Sequence, residues 1–130
     1  MFKAYGIVEV RKGVRINLNL DFIRYYRALY NFYTYQTVKN QLPMYGAHIS
    51  VILPAIHKGV DFLPAIKYNR NKVEFEYDPK SVFISKKNVW MNVKCEWAEK
   101  LKKELGIVEN NFWGYHLTIC NFKNENSNKI

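Results

Sequence analysis

The chain has 130 residues, 48% of them hydrophobic, with a formal net charge of +9. This length fits one domain, and no apolar run approaches the roughly 18 residues that a membrane-spanning helix needs. Two cysteines, Cys95 and Cys120, are too few for a disulfide scaffold and predict a reduced, cytoplasmic protein. The excess of lysine and arginine favours a polyanionic partner such as a nucleotide, although a lysine-rich solvated surface explains it equally well.

The first part of the chain predicts a β-hairpin followed by a helix. Residues 2–10 and 14–20 alternate like strands, with a turn at residues 11–13. Asp21 is a suitable N-cap for a helix over about residues 22–39. The residues that recur at helical spacing, and are expected on its core face, are Phe22, Tyr25, Tyr26, Leu29, Phe32 and Tyr33.

The rest of the chain predicts five strands, one helix and a polar tail. The strands are expected at residues 47–53, 72–77, 81–85, 89–94 and 115–122. A turn is expected at Asp78-Pro79. The helix is expected over about residues 96–105, before Gly106, with Trp97, Ala98, Leu101 and Leu105 on its apolar stripe. Residues 123–130 form the tail.

Two distant segments share one pattern of glycine, any residue, histidine, aliphatic, hydroxyl and aliphatic residue. They are Gly46-Ala47-His48-Ile49-Ser50-Val51 and Gly114-Tyr115-His116-Leu117-Thr118-Ile119. Because side chains alternate along a strand, each histidine and the hydroxyl two residues later project from one face. The aliphatic residues project from the other face and can anchor the strand in a core.

The order of elements before each segment is also repeated. A strand with an asparagine, a helix and a loop precede both motifs, and Asn19 corresponds to Asn92 in this alignment. The repeat predicts two lobes within one domain, approximately residues 1–58 and 59–122. A pseudo-twofold relation between the lobes would place the motif strands side by side in a central cleft.

The paired residues fit the cleavage of a phosphodiester. Histidine titrates near neutral pH, so His48 and His116 can act as general base and general acid, in an order that the sequence leaves open. Ser50 and Thr118 can donate hydrogen bonds to the nonbridging phosphate oxygens. A metal site with His57 is the rival interpretation, but no Asp or Glu lies near either motif, so no metal or cofactor is expected.

Three aromatic residues flank the motifs. Tyr45, Trp113 and Tyr115 are candidates for stacking on a nucleobase, and packing at the rim of the cleft is an equal alternative. Strict alternation places Cys120 on the face of His116, where it is expected to be a small filler. His57, next to Lys58, is expected in a surface loop.

These residues resemble the two-histidine phosphoesterase superfamily, which is named for paired His-aliphatic-Thr/Ser motifs. The pairs here are His48-Ile49-Ser50 and His116-Leu117-Thr118. The second half, from residue 89 to the second motif, is the closer match, while the first half has a long tyrosine-rich helix and serine in place of threonine. The resemblance spans nearly the whole chain. It implies a bilobal α+β fold, with antiparallel strands around a central cleft and helices outside, and metal-independent catalysis.

The resemblance also implies a class of substrate. By its small size the chain is similar to compact phage members of the superfamily, which cleave the cyclic oligonucleotide signals of bacterial antiviral systems. The expected function is therefore a phosphodiesterase of cyclic di- or trinucleotides in the host cytoplasm, with a monomer favoured. The alternatives are an RNA 2',3'-cyclic phosphodiesterase or RNA-end processing enzyme, and a non-catalytic basic module that binds nucleic acid.

Overall fold

The computed structural model describes residues 1–35, 39–108 and 114–122. Its strands are β1 (Phe2–Val10), β2 (Val14–Asn17), β3 (Asn40–Gln41), β4 (His48–Ile52), β5 (Lys72–Ile84), β6 (Asn88–Lys94) and β7 (Tyr115–Phe122). The helices are α1 (Leu20–Tyr33) and α2 (Glu96–Glu104), with a 3₁₀ helix at Leu63–Tyr68. Within the described ranges, neither the length nor the composition of any helix would let it cross a membrane.

The strands form one antiparallel sheet that closes on itself. Their order is β3-β7-β4-β2-β1-β5-β6, and β6 also pairs with β7, which closes a six-stranded barrel. The short strand β3 pairs with the last residues of β7. The predicted α+β class and the antiparallel arrangement are therefore confirmed.

The two halves of the chain repeat the same pattern of pairing. In the first half β1 pairs with β2 and β2 with β4, and in the second half β5 pairs with β6 and β6 with β7. The pairs β1–β5 and β4–β7 join the halves. Asn17 lies opposite His48, and Asn92 lies opposite His116. The alignment of Asn19 with Asn92 was thus wrong, because Asn19 has left the sheet to cap α1.

Each half also has a register shift at the same place. In the first half Val14 pairs with Ile52 but Arg15 pairs with Ser50, and in the second Val89 pairs with Cys120 but Trp90 with Thr118. Such a β-bulge interrupts the alternation of side chains. Ile119 and Cys120 are consequently both buried, at 1% and 0% exposure. The placement of Cys120 beside His116 was wrong for this reason, and burial raises the pKa of its thiol to about 11.

The core lies on the face of the sheet that carries the aliphatic residues of both motifs. Ile16, Ile49, Met91 and Leu117 are fully buried there. The residues that attach α1 to this core are Phe22, Ile23, Tyr26 and Tyr30. The predicted core face of α1 was only partly right, since Tyr25, Phe32 and Tyr33 are exposed. The predicted stripe of α2 is confirmed, with Ala98 and Leu101 buried and Trp97 and Leu105 partly buried.

The boundaries of β2, α1 and β5 differ from the prediction. The side chain of Asn19, rather than that of Asp21, caps α1 by accepting a hydrogen bond from the Asp21 N–H, so β2 is shorter and the helix starts earlier. The helix ends at Tyr33, and Tyr35 has a φ of 55° that a helix cannot continue. The turn predicted at Asp78-Pro79 is instead an irregularity within the continuous strand β5.

Candidate functional site

The two motifs lie on adjacent paired strands. Ile49 of β4 pairs directly with Leu117 of β7, and both side chains are fully buried. Residues on either side of a buried strand residue project from the opposite face. His48, Ser50, His116 and Thr118 therefore project from one face, and the predicted grouping of these four residues is found in the structure.

The register extends this group into two matched rows. Continuing the register by one residue from the Ile49–Leu117 pair places Ser50 beside His116 and His48 beside Thr118. One row across the sheet then consists of Glu9, Arg15, Ser50, His116 and Asn92. The other consists of Phe83, Trp90, Thr118, His48 and Asn17. We call these ten residues the polar face.

The two histidines occupy a diagonal of this arrangement. Diagonal neighbours on paired antiparallel strands are roughly 7 to 8 Å apart. Each histidine has the hydroxyl residue of the other motif directly across from it. A tetrahedral phosphate placed over the Ile49–Leu117 pair would therefore have an imidazole on two sides and a hydroxyl on two sides.

His48 is half-buried and held by its own loop. Its Nδ1 lies 3.3 Å from the carbonyl oxygen of Gly46, and because a carbonyl can only accept, Nδ1 is the protonated nitrogen in this hydrogen bond. The Nε2 atom of the neutral ring is then a proton acceptor. Burial lowers the pKa of His48, the hydrogen bond to Gly46 opposes this shift, and the nearby positive charge of Arg15 lowers the pKa further.

His116 is more exposed and is held by an aromatic contact. Its ring lies 5.3 Å from the ring of Trp90, centroid to centroid, and Trp90 stacks in turn on Phe83 at 5.9 Å. No residue in the described ranges hydrogen-bonds to the His116 ring. Partial burial lowers the pKa of His116.

A cavity adjoins the first motif. It has a volume of about 520 Å³. His48 and Ser50 line it together with Tyr45, which is 74% exposed, and with Arg15. Tyr45 is therefore exposed at the cavity, and its stacking on a nucleobase stays a prediction.

The other two flanking aromatic residues differ from Tyr45. Tyr115 is 4% exposed, its hydroxyl donates to Oε1 of Glu99, and Nζ of Lys102 lies over its ring. A ring packed in this way cannot stack on a base, so the prediction for Tyr115 as a substrate contact was wrong. Alternation explains this, since Tyr115 precedes His116 and projects from the opposite face. Trp113 lies outside the described residues.

The backbone conformation explains why each motif begins with glycine. Gly46 has a φ of 80° and Gly114 a φ of 71°, in the left-handed region that other residues rarely adopt. Gly46 follows a turn at residues 44–45, and both glycines lie just before their motif strands, β4 and β7. The glycine two residues before each histidine thus belongs to the entry of the strand.

His57 is separate from the polar face. Its Nδ1 accepts a hydrogen bond from the Leu53 N–H at 3.0 Å, in the turn that follows β4. The expected loop position of His57 is confirmed. The described residues contain no group of three His, Cys, Asp or Glu side chains that could hold a metal ion.

Besides Asn17, for which Asn19 was mistaken, sequence reasoning missed four members of the polar face. Arg15 and Trp90 lie directly opposite the two hydroxyl residues, and Glu9 and Phe83 are their next neighbours. The signal was present in β2, where the alternation of Val14, Arg15 and Ile16 places the arginine on the polar side. The strand pairing that connects this position to Ser50 is not visible in a linear sequence.

Comparisons with protein-family models, with curated proteins and with solved structures find no match to this chain.

Proposed function

We propose that this protein is a metal-independent phosphodiesterase of the two-histidine type that cleaves nucleotide phosphodiester bonds. The proposal rests on one observation: the two His-aliphatic-hydroxyl motifs lie side by side on paired strands, with their polar side chains on the same face. The repeated pairing and the repeated bulge support a pseudo-twofold relation between the halves, as the superfamily fold requires. A single motif would supply only one proton-transfer group, whereas the reaction needs two.

In the proposed mechanism one histidine removes a proton from the attacking hydroxyl or water, and the other protonates the leaving oxygen. The Nδ1–Gly46 hydrogen bond leaves Nε2 of His48 as an acceptor, which favours His48 as the base. His116, beside the electron-rich face of Trp90, is then the acid, because an aromatic face stabilises a cation. Ser50 and Thr118 donate to the nonbridging oxygens, where negative charge accumulates.

As the first substrate class to test, we propose cyclic di- and trinucleotide second messengers, whose cleavage would serve a viral anti-defence role. The open polar face, the exposed Tyr45 and the net charge of +9 support a nucleotide ligand. RNA ends with a 2',3'-cyclic phosphate are the second candidate, because the same four residues could open a cyclic phosphate.

The test is incubation with cyclic dinucleotides, cyclic trinucleotides, 2'-5' oligoadenylate and nucleoside 2',3'-cyclic phosphates, followed by chromatography. We expect at least one to be cleaved, with the same rate in EDTA. Loss of activity on chelation, restored by one divalent ion, would contradict the metal-independent mechanism.

A non-catalytic module that binds nucleic acid is the rival explanation for the basic charge. Such a module would cleave nothing in this panel and would bind with an affinity that falls steeply as salt rises. Its binding would also tolerate the loss of His48 and His116, whereas turnover by an enzyme would not.

A further inference from the structure

The cavity beside the first motif is lined by more positive than negative charge. Three cations, Arg11, Lys12 and Arg15, line it against one carboxylate, that of Glu9. Arg11 and Lys12 are exposed and form no ion pair with any described residue. The cavity thus combines an excess of positive charge with direct access to His48 and Ser50.

Arg15 carries hydrogen-bond donors that its neighbours do not use. Its Nε is buried and has no hydrogen-bond partner among the described residues. Its Nη2 lies 3.8 Å from Oε2 of Glu9, which is beyond hydrogen-bond distance, and that oxygen already accepts a hydrogen bond from Nδ2 of Asn17. A buried donor without a partner costs free energy. The Arg15 side chain is also 38% exposed and lines the cavity, so an anion bound there could accept hydrogen bonds from its Nη atoms.

The repeat separates the residues that both halves share from those that only one half has. His48 and Ser50 have counterparts in His116 and Thr118, and Asn17 has a counterpart in Asn92. At the position of Arg15 the second half has Trp90, and at the position of Glu9 it has Phe83. Arg15 therefore has no counterpart in the second half. It would contact only the part of the substrate that lies on its own side of the site.

We infer that Arg15, with Arg11 and Lys12, forms a subsite for a second phosphate, so the substrate carries at least one phosphate besides the one that is cleaved. This inference rests on the proposed function for the position of the scissile phosphate. Guanidinium groups bind phosphate through two parallel hydrogen bonds, and Arg15 has the free donors for such a contact. The subsite lies directly beyond Ser50, on the side of the polar face away from His116.

The experiment compares two substrates that share a scissile bond and differ by one phosphate. They are the dinucleotide ApA and its 5'-phosphorylated form pApA, measured as kcat/KM and, separately, as affinity by calorimetry. We expect the native protein to prefer pApA. Arg15→Gln should reduce the ratio of kcat/KM for pApA to that for ApA by roughly 10- to 100-fold, the effect of losing a charge-assisted hydrogen bond.

The ratio of kcat/KM for pApA to that for ApA cancels an indirect effect of Arg15 on His48. The charge of Arg15 lowers the pKa of His48, so its removal shifts the pH profile for both substrates alike. Arg15→Lys should retain part of the preference, because it keeps the charge but loses the planar fork. Arg24→Gln is the matched control, since it removes one positive charge from exposed α1 and should leave the ratio unchanged.

The outcomes distinguish this inference from the proposed function. If ApA and pApA are cleaved equally and Arg15→Gln leaves their ratio at one, the subsite is wrong and the phosphodiesterase stands. If neither dinucleotide nor any substrate of the cyclic-nucleotide panel is cleaved, but pApA binds more tightly than ApA in an Arg15-dependent way, the subsite stands and the proposed catalysis fails. If pApA is neither cleaved faster nor bound more tightly than ApA, the subsite is wrong, and if nothing in the panel is cleaved either, both proposals are wrong.

Discussion

At the scale of single residues, the two histidines of the polar face are held by different contacts. A backbone carbonyl fixes the ring of His48 through Nδ1, while the aromatic ring of Trp90 supports His116. Two identical motif residues therefore have unequal surroundings. Unequal surroundings are what a reaction with one acid and one base requires, because each group must be in a different protonation state.

The first prediction concerns the pH dependence of kcat/KM, which reports the pKa values of the free enzyme. Burial lowers the pKa of both histidines below the ordinary value of about 6.5. The form with one neutral and one protonated ring is most populated between the two lowered values. We expect a bell-shaped profile with an optimum below about pH 6.5 and a decline toward pH 8, as the acid loses its proton.

A control for folding is needed at the acidic end. Because both pKa values are lower in the folded state, their contribution to stability is present above about pH 6.5 and is lost as pH falls through the folded-state values. Circular dichroism at each pH separates this loss from protonation of the base. An optimum above pH 7.5 in a folded protein would contradict the assignment of two lowered pKa values.

The second prediction concerns the two hydroxyl residues. Ser50→Ala and Thr118→Val should each reduce single-turnover rates by about 10²- to 10³-fold, because each removes a donor to the charge that develops on phosphate. Substrate affinity should change less. Thr118→Ser should be mild, since the hydroxyl is kept. Ser85→Ala, in the turn between β5 and β6, is the control, and near-full rates in both hydroxyl variants would exclude their role as phosphate donors.

At the scale of elements, the strands were predicted well where alternation is unbroken. The bounds of β1 and β7 match the prediction. The predicted face of Cys120 in β7 was wrong, because the bulge opposite Val89 and Trp90 breaks the alternation after Thr118 and depends on a partner strand. The start of α1 was misplaced because Asn19 and Asp21 are both good N-caps, and only the folded geometry distinguishes them.

The third prediction tests the glycines at the entry of the motif strands. Gly46→Ala and Gly114→Ala should each lower the free energy of unfolding, by roughly 1 to 2 kcal/mol for the left-handed φ alone. Gly114→Ala should cost more, because its new Cβ would lie 2.9 Å from the carbonyl oxygen of Val93, while the space around Gly46 is open. Urea denaturation measures both.

Gly59→Ala is a matched control for Gly46→Ala. Gly59 also has a φ of 80° and open space, but it lies outside both motifs. The two variants should lose similar stability, yet only Gly46→Ala should reduce turnover, because the Gly46 carbonyl holds His48. Equal turnover in the two variants would show that this hydrogen bond does not matter for activity.

At the scale of the whole molecule, closure of the sheet brings the site together. The motif strands are far apart in sequence and meet only because β4 pairs with β7. The sequence could predict the grouping of the four motif residues from their repeated pattern. The division into two lobes stays a prediction. The sequence could not predict Arg15 and Trp90, because their place beside the hydroxyl residues depends on long-range pairing registers.

The most direct test of the central claim is single-turnover kinetics of His48→Ala, His116→Ala and the double variant on the first substrate that the panel identifies. Each single change should reduce the rate by roughly 10²- to 10⁴-fold. The double variant should be little worse, because acid and base act as a unit. His57→Ala, which changes the one histidine outside the polar face, should keep full activity. Near-native turnover in either single variant, or an equal loss in His57→Ala, would contradict the two-histidine mechanism.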